Sequence, residues 1–161
     1  MKLSKRTEYG LRALIDLGIA ADQGREQVTA RDLAKQERIP AAFLEQILIQ
    51  LRGAGWVRSR RGKAGGYSLA KPPAQIRMGD VVRLFEVSLA PIACVSRVAY
   101  EPCSCPDEAH CGLRLLMTDV RAAMVSVLDR HTLADIVEVT LRKRRRNRMP
   151  IPFAVVAKEP Q

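Results

Sequence analysis

The chain has 161 residues, a length that fits one domain with at most an added arm or tail. Its residues are 47% apolar but only 4% aromatic, a mix that favours aliphatic helix packing over a β-sandwich. A formal charge of +10 points to a polyanion partner, and no apolar run approaches the roughly twenty residues that a membrane helix needs.

The N-terminus, MKLSKRTEYGLRALIDLGIAA, imitates a signal peptide, but Glu8, Arg12 and Asp16 interrupt its apolar stretch at helical spacing. A cytoplasmic protein is therefore expected, in which four clustered cysteines serve as ligands or redox groups rather than structural disulfides. The first helix is predicted over residues 4–21, with Ser4 able to cap it and Leu11, Leu14, Ile15, Gly18 and Ile19 on one face. Asp22-Gln23-Gly24 breaks the pattern. Thr29 opens a second helix, with Asp32 in a near variant of the capping box and Leu33 and Ala34 as its apolar contacts.

A short turn, Glu37-Arg38-Ile39-Pro40, leads into a third helix over about residues 40–52, with Pro40 at its first position. Phe43, Leu44, Ile47, Leu48 and Leu51 form its core face, and Gly53 and Gly55 end it. Two short helices joined in this way make a helix-turn-helix whose second helix enters the major groove. At its exposed start, Ala42 could touch a thymine methyl, Glu45 could accept from cytosine or instead cap or ion-pair, and Gln46 could pair with adenine.

Residues 56–60 and 66–69 then alternate as two short strands around the basic, glycine-rich loop Arg61-Gly62-Lys63-Ala64-Gly65. This completes a winged helix, with Arg60, Arg61 and Lys63 in the wing and Arg52 and Arg58 placed for phosphate. The fold class is mainly α with a small β-wing, and residues 1–90 form the DNA-binding domain. A helix carrying Val81, Val82, Leu84 and Phe85 lies at its end, before Pro91.

Residues 91–111 are a loop holding all four cysteines, Cys94, Cys103, Cys105 and Cys111. Thiolates are soft ligands that suit iron–sulfur clusters, zinc or cuprous ions. The gaps of eight, one and five residues match neither a paired zinc ribbon nor a ferredoxin run. After the loop, Leu113, Leu116, Met117, Val120, Met124, Val127 and Leu128 make one apolar stripe. Residues 112–140 are read as a dimerisation helix plus a short C-terminal helix capped by Thr132. A homodimer matches two recognition helices to a palindromic site in double-stranded DNA.

Residues 141–161 are expected to form a basic, poorly ordered tail. Arg142, Lys143, Arg144, Arg145, Arg146 and Arg148 supply six of the positive charges, leaving +4 for the body, and would add non-specific DNA affinity that fades with salt. His110 and His131 lack evident partners and no nucleophile–base set can be nominated, so an enzyme is not expected.

MKLSKRTEYGLRALIDL, IPAAFLEQIL and LRGAGWVRSRRGKAGGYSLAK resemble the Rrf2 family of winged-helix transcription regulators, of the IscR and NsrR type, and the likeness runs from residue 1 to about 140. The resemblance implies a bacterial homodimeric repressor or activator, often with a 2Fe–2S or 4Fe–4S cluster, sensing cluster supply, iron, nitric oxide or redox state. Cluster-binding relatives use three cysteines with five residues between the last two, which Cys105 and Cys111 reproduce, with Cys94 standing for the first. Cys103 is surplus and competes for the fourth position with Glu8 of the partner subunit, which matches a carboxylate used by some relatives. Another type places a histidine where this chain has Arg114, which cannot ligate, and His110 does not match in position. The alternatives are a zinc-bound or thiol-switched regulator, or a cluster-free one that partners an enzyme of sulfur metabolism.

Overall fold

A computed structural model describes residues 3–154. The elements are α1 (Lys5–Asp22), α2 (Ala30–Glu37), α3 (Ala41–Gly53), β1 (Val57–Arg60), β2 (Gly66–Leu69), α4 (Met78–Phe85), α5 (Gly112–Arg130) and α6 (Leu133–Arg146). Single 3-10 turns lie at Pro73–Gln75 and Ala93–Val95.

Helix α1 is the axle of the fold, packing against α2, α3, α4, α6 and β2. It starts at Ser4, whose hydroxyl accepts the Thr7 N–H at 3.2 Å, and Glu86 at the end of α4 accepts from the Ser4 N–H at 2.7 Å. Thr7, Gly10, Ala13, Leu14, Asp16, Leu17, Gly18, Ile19 and Ala20 are buried on it, far more of its circumference than the one predicted face. Two glycines permit the close crossings. A Cβ on Gly10 would meet the Phe85 ring at 2.5 Å, and one on Gly18 would meet Val137 at 2.6 Å.

Around this axle Leu33, Leu44, Ile47, Leu48, Leu51, Val57, Ile76, Val81, Leu133 and Leu141 close one aliphatic core. Thr29 caps α2 through the Asp32 N–H at 3.0 Å, as its sequence predicts. Helix α3 begins at Ala41, so Pro40 is its cap and not its first helical residue; the Pro40 carbonyl accepts from Phe43 and Leu44. Strands β1 and β2 pair antiparallel, with Arg60 opposite Gly66, and Val28 adds a bridge to Tyr67 that ties the wing back to the start of α2.

The C-terminal boundary differs from the expected tail at residue 141. Helix α6 starts in a full capping box of Thr132 and Asp135 and runs through the basic run to Arg146. Arginine and lysine are good helix formers and suit the negative end of the helix dipole. The chain then folds back: the Arg144 Nη1 donates to the Pro150 carbonyl at 2.7 Å, Pro152 is buried, and Phe153 lies over the Arg25 guanidinium at 5.4 Å. Residues 155–161 of the expected tail lie outside the described residues.

Candidate DNA interface and cysteine site

Helix α3 turns Leu44, Ile47, Leu48 and Leu51 into the core, which leaves Ala41, Ala42, Glu45 and Gln46 exposed on its opposite face. Strand β1 packs against α3, and the Arg52 Nη1 donates to the Ser59 Oγ at 3.2 Å, so helix and wing hold a fixed relation. Arg60, Arg61 and Lys63 are exposed at the wing tip; Arg60 makes only a long contact of 3.9 Å to Glu26. Arg58 donates to the Ser68 Oγ at 3.0 Å across the strands and remains exposed.

Cys94 sits in the 3-10 turn against α5 and is buried, Cys103 is exposed, and Cys105 and Cys111 are half-buried, Cys111 being the residue that caps α5. The thiols interact in series: Cys94 with Cys103, Cys103 with Cys105, and Cys105 with Cys111. The Cys103 Sγ accepts from the Cys105 N–H at 3.3 Å, and the neighbouring Cys105 thiol together with this bond holds the Cys103 thiol below its ordinary range. The Cys103 thiol in turn pushes Cys105 up to about 11, and burial raises Cys94. Among the described residues, no three His, Cys, Asp or Glu side chains converge in a metal-holding arrangement. The donor set itself is that of a soft-metal site, since four thiols share one loop.

Glu108 fastens this loop, a role that its sequence does not announce. It accepts from the Tyr100 hydroxyl at 3.0 Å and from the Cys103 N–H at 3.3 Å, and pairs with Arg114 at 3.2 Å. Arg114 also donates to the Cys94 carbonyl at 3.4 Å, so it ties the first cysteine to α5 without ligating anything. His110 is exposed and held by Asp107 at 2.8 Å. Glu8 is half-buried and bound to Lys5 at 2.7 Å and Arg12 at 3.4 Å, and its contact with Lys5 holds its carboxyl below the usual range. Arg12 also reaches the helix-turn-helix, with its Nε donating to the Glu37 Oε2 at 2.5 Å and its Nη2 to the Glu37 carbonyl. One guanidinium therefore spans Glu8 and the end of α2.

Comparison with known proteins places these features. Residues 3–139 match the family model Rrf2, described as an iron-dependent transcriptional regulator. The chain belongs to the Rrf2 family. An rrf2-like HTH-type transcriptional regulator of Rhodobacter capsulatus is 38% identical over 137 residues, covering 84% of this chain and 91% of the relative. Among solved structures, CymR (YrzC), the global cysteine regulator of B. subtilis, has a TM-score of 0.71 and 31% identity over 86% of this chain and 98% of that one. IscR of T. potens has a TM-score of 0.68 and 29% identity, covering 93% of each chain. This Rrf2 protein is thus a transcription regulator on a winged-helix fold, as its α3–wing pair requires, and its relatives are regulators rather than enzymes. No described helix is long and apolar enough to cross a membrane.

Proposed function

We propose that the protein is a dimeric regulator that reads a palindromic operator through α3 and the wing, and whose affinity is set by an iron–sulfur cluster on the 94–111 loop. The observation that carries this reading is the seating of the loop. All four thiols lie on one segment, whose first cysteine is pinned to α5 by Arg114 and whose last caps α5.

Cys94, Cys105 and Cys111 would hold the cluster, with Cys103 or Glu8 of the partner subunit as the fourth ligand. When bound, the cluster supplies iron that can be lost, oxidised or nitrosylated. The residues of the chain supply the link to DNA. Leu113, Leu115 and Leu116 on the first turns of α5 are 57, 69 and 55% exposed, and no residue of α5 is buried. An apolar helix face left uncovered in one chain is the face to pair with a second copy. Drawing the thiols together alters the start of that helix, and a change of a few kcal/mol between two dimer arrangements is enough to switch operator occupancy. Within α1, the Glu8–Arg12–Glu37 contacts offer a second route from the dimer side to the turn before α3.

The deciding experiment is anaerobic purification with assay of iron, acid-labile sulfide and operator affinity. Iron and sulfide in comparable amounts, lost together with operator affinity in Cys94→Ala or Cys111→Ala, is the expected result. A colourless protein that reconstitution does not change would defeat the cluster reading. The serial thiol contacts favour one second reading, a zinc-held or disulfide-switched loop. It requires about one zinc per chain, or a Cys-to-Cys crosslink after mild oxidation, with operator binding following that state.

A further inference from the structure

Among the described residues, Asp16 is the one of charged type that the fold buries. It is 3% exposed, and its Oδ2 has no hydrogen-bond partner among the described residues. Three charged groups reach it: Glu37 from the end of α2, Arg144 from α6, and Arg12 one turn earlier on α1. Helices α3 and α4, which also pack on α1, turn inward buried aliphatic side chains such as Leu44, Leu48 and Val81.

Neither cation makes a hydrogen bond to Asp16. Arg12 is committed to the Glu37 side chain and carbonyl, and Arg144 to the Pro150 carbonyl at 2.7 Å. An ionised Asp16 would therefore be a buried charge without a donor, which is costly. A neutral Asp16 needs only an acceptor, and the Glu37 carboxylate, close enough to act on it from the end of α2, supplies one. Burial first, and then the Glu37 charge, push the Asp16 carboxyl up to about 8.

We propose that Asp16 keeps its proton, turned toward the Glu37 carboxylate, and that this proton fastens the helix-turn-helix to α1 so that operator binding is proton-linked. The leverage comes from position. Glu37 is the last residue of α2, the next residue, Arg38, is left-handed at φ 53°, and α3 starts at Ala41. Loss of the proton sets two carboxylates against each other across the α1–α2 contact. Glu37, with its side chain 18% exposed, is the one that can move outward, and it carries the turn that presents α3. The inference rests on DNA binding through α3 and is independent of whether the loop binds a cluster.

Two measurements on the full chain test it. The side-chain carboxyl carbon of Asp16, followed by NMR from pH 3 to 9.5, should titrate at least two units above the ordinary aspartate value of about 3.9. A midpoint near that value overturns the retained proton. Operator affinity at fixed ionic strength should weaken about fivefold between pH 7 and 9 in the wild type. It should stay flat in Asp16→Asn, whose amide donates to Glu37 and has no such proton to lose. Parallel profiles for the two proteins overturn the proton link to DNA. If the wild type binds no operator at any pH, it is the DNA reading that fails, and the NMR titration still decides the proton.

Discussion

The two halves of the molecule are built on different terms. From α1 to β2 the chain supplies most of one aliphatic core, with Leu14, Leu33, Leu44, Ile47, Leu48 and Leu51 wholly out of solvent and α4 and α6 closing it. Helix α5, at 19 residues as long as any element in the fold, buries none of its residues, and the loop before it is held by one carboxylate hub at Glu108. The winged-helix half is finished within one chain; the half with the cysteine loop and α5 is left open at its helix face and at its thiols. Where little packing opposes it, a segment changes conformation at least cost.

The sharpest way to break this comparison is to cut into both halves. Leu48→Ala, in the core, should cost about 2–5 kcal/mol and show as a lower midpoint in chemical denaturation. Leu116→Glu, on the exposed α5 face, should leave helix content unchanged but shift the protein to monomer in sedimentation, with operator affinity falling accordingly. If Leu116→Glu unfolds the chain instead, α5 belongs to the core of one protomer and the contrast is false.

Proton linkage sharpens the contrast within the first half. Asp16 is raised to about 8 from the ordinary 3.8, so its favourable contribution is full below the latter and is lost as the pH climbs to about 8. Burial raises Glu86, but hydrogen bonds from Thr7 and Ser4 outweigh it and leave its carboxyl below the ordinary 4.5. Its contribution is thus present above that value and lost as the pH falls. Thermal melts from pH 3 to 9 should show Asp16→Asn removing the decline between about pH 4 and 8, and Glu86→Gln removing part of the acid decline. At the wing, Arg61→Ala should weaken operator binding at matched salt and reduce the salt slope by about one.

Local chemistry made much of the fold legible. Ser4, Thr29 and Thr132 act as the caps their positions predict, and the alternation around Arg61-Gly62-Lys63 is a wing. What stayed hidden depended on contacts distant in sequence. Glu8, Arg12 and Asp16 look like one polar stripe, yet α6 and the turn at Glu37 cover Asp16 and leave Glu8 half-exposed. The basic run from Arg142 reads as a tail by composition, but it continues α6 because Leu141 is buried and Arg145 reaches Asp22 at 3.9 Å. The cysteines were visible as a set. Their fastening by Glu108 was not, since a glutamate in a polar loop has no periodicity to mark it.

Glu108 also gives the mildest test of the open half. Its partners, Tyr100, Cys103 and Arg114, are all at least partly exposed, and ion pairs of that kind contribute less than about 1 kcal/mol. Glu108→Gln should therefore leave the melting temperature nearly unchanged. It should still release the loop, because Arg114 loses its charge partner and the hold on the Cys94 carbonyl weakens with it. Cys94 is 6% exposed, so maleimide should label it slowly in the metal-free wild type and several times faster in Glu108→Gln, while exposed Cys103 changes little. A mass time course resolves the two. Equal Cys94 rates in both proteins would mean that packing against α5, and not Glu108, closes the loop, and the cysteine-bearing half would then be less open than its surface suggests.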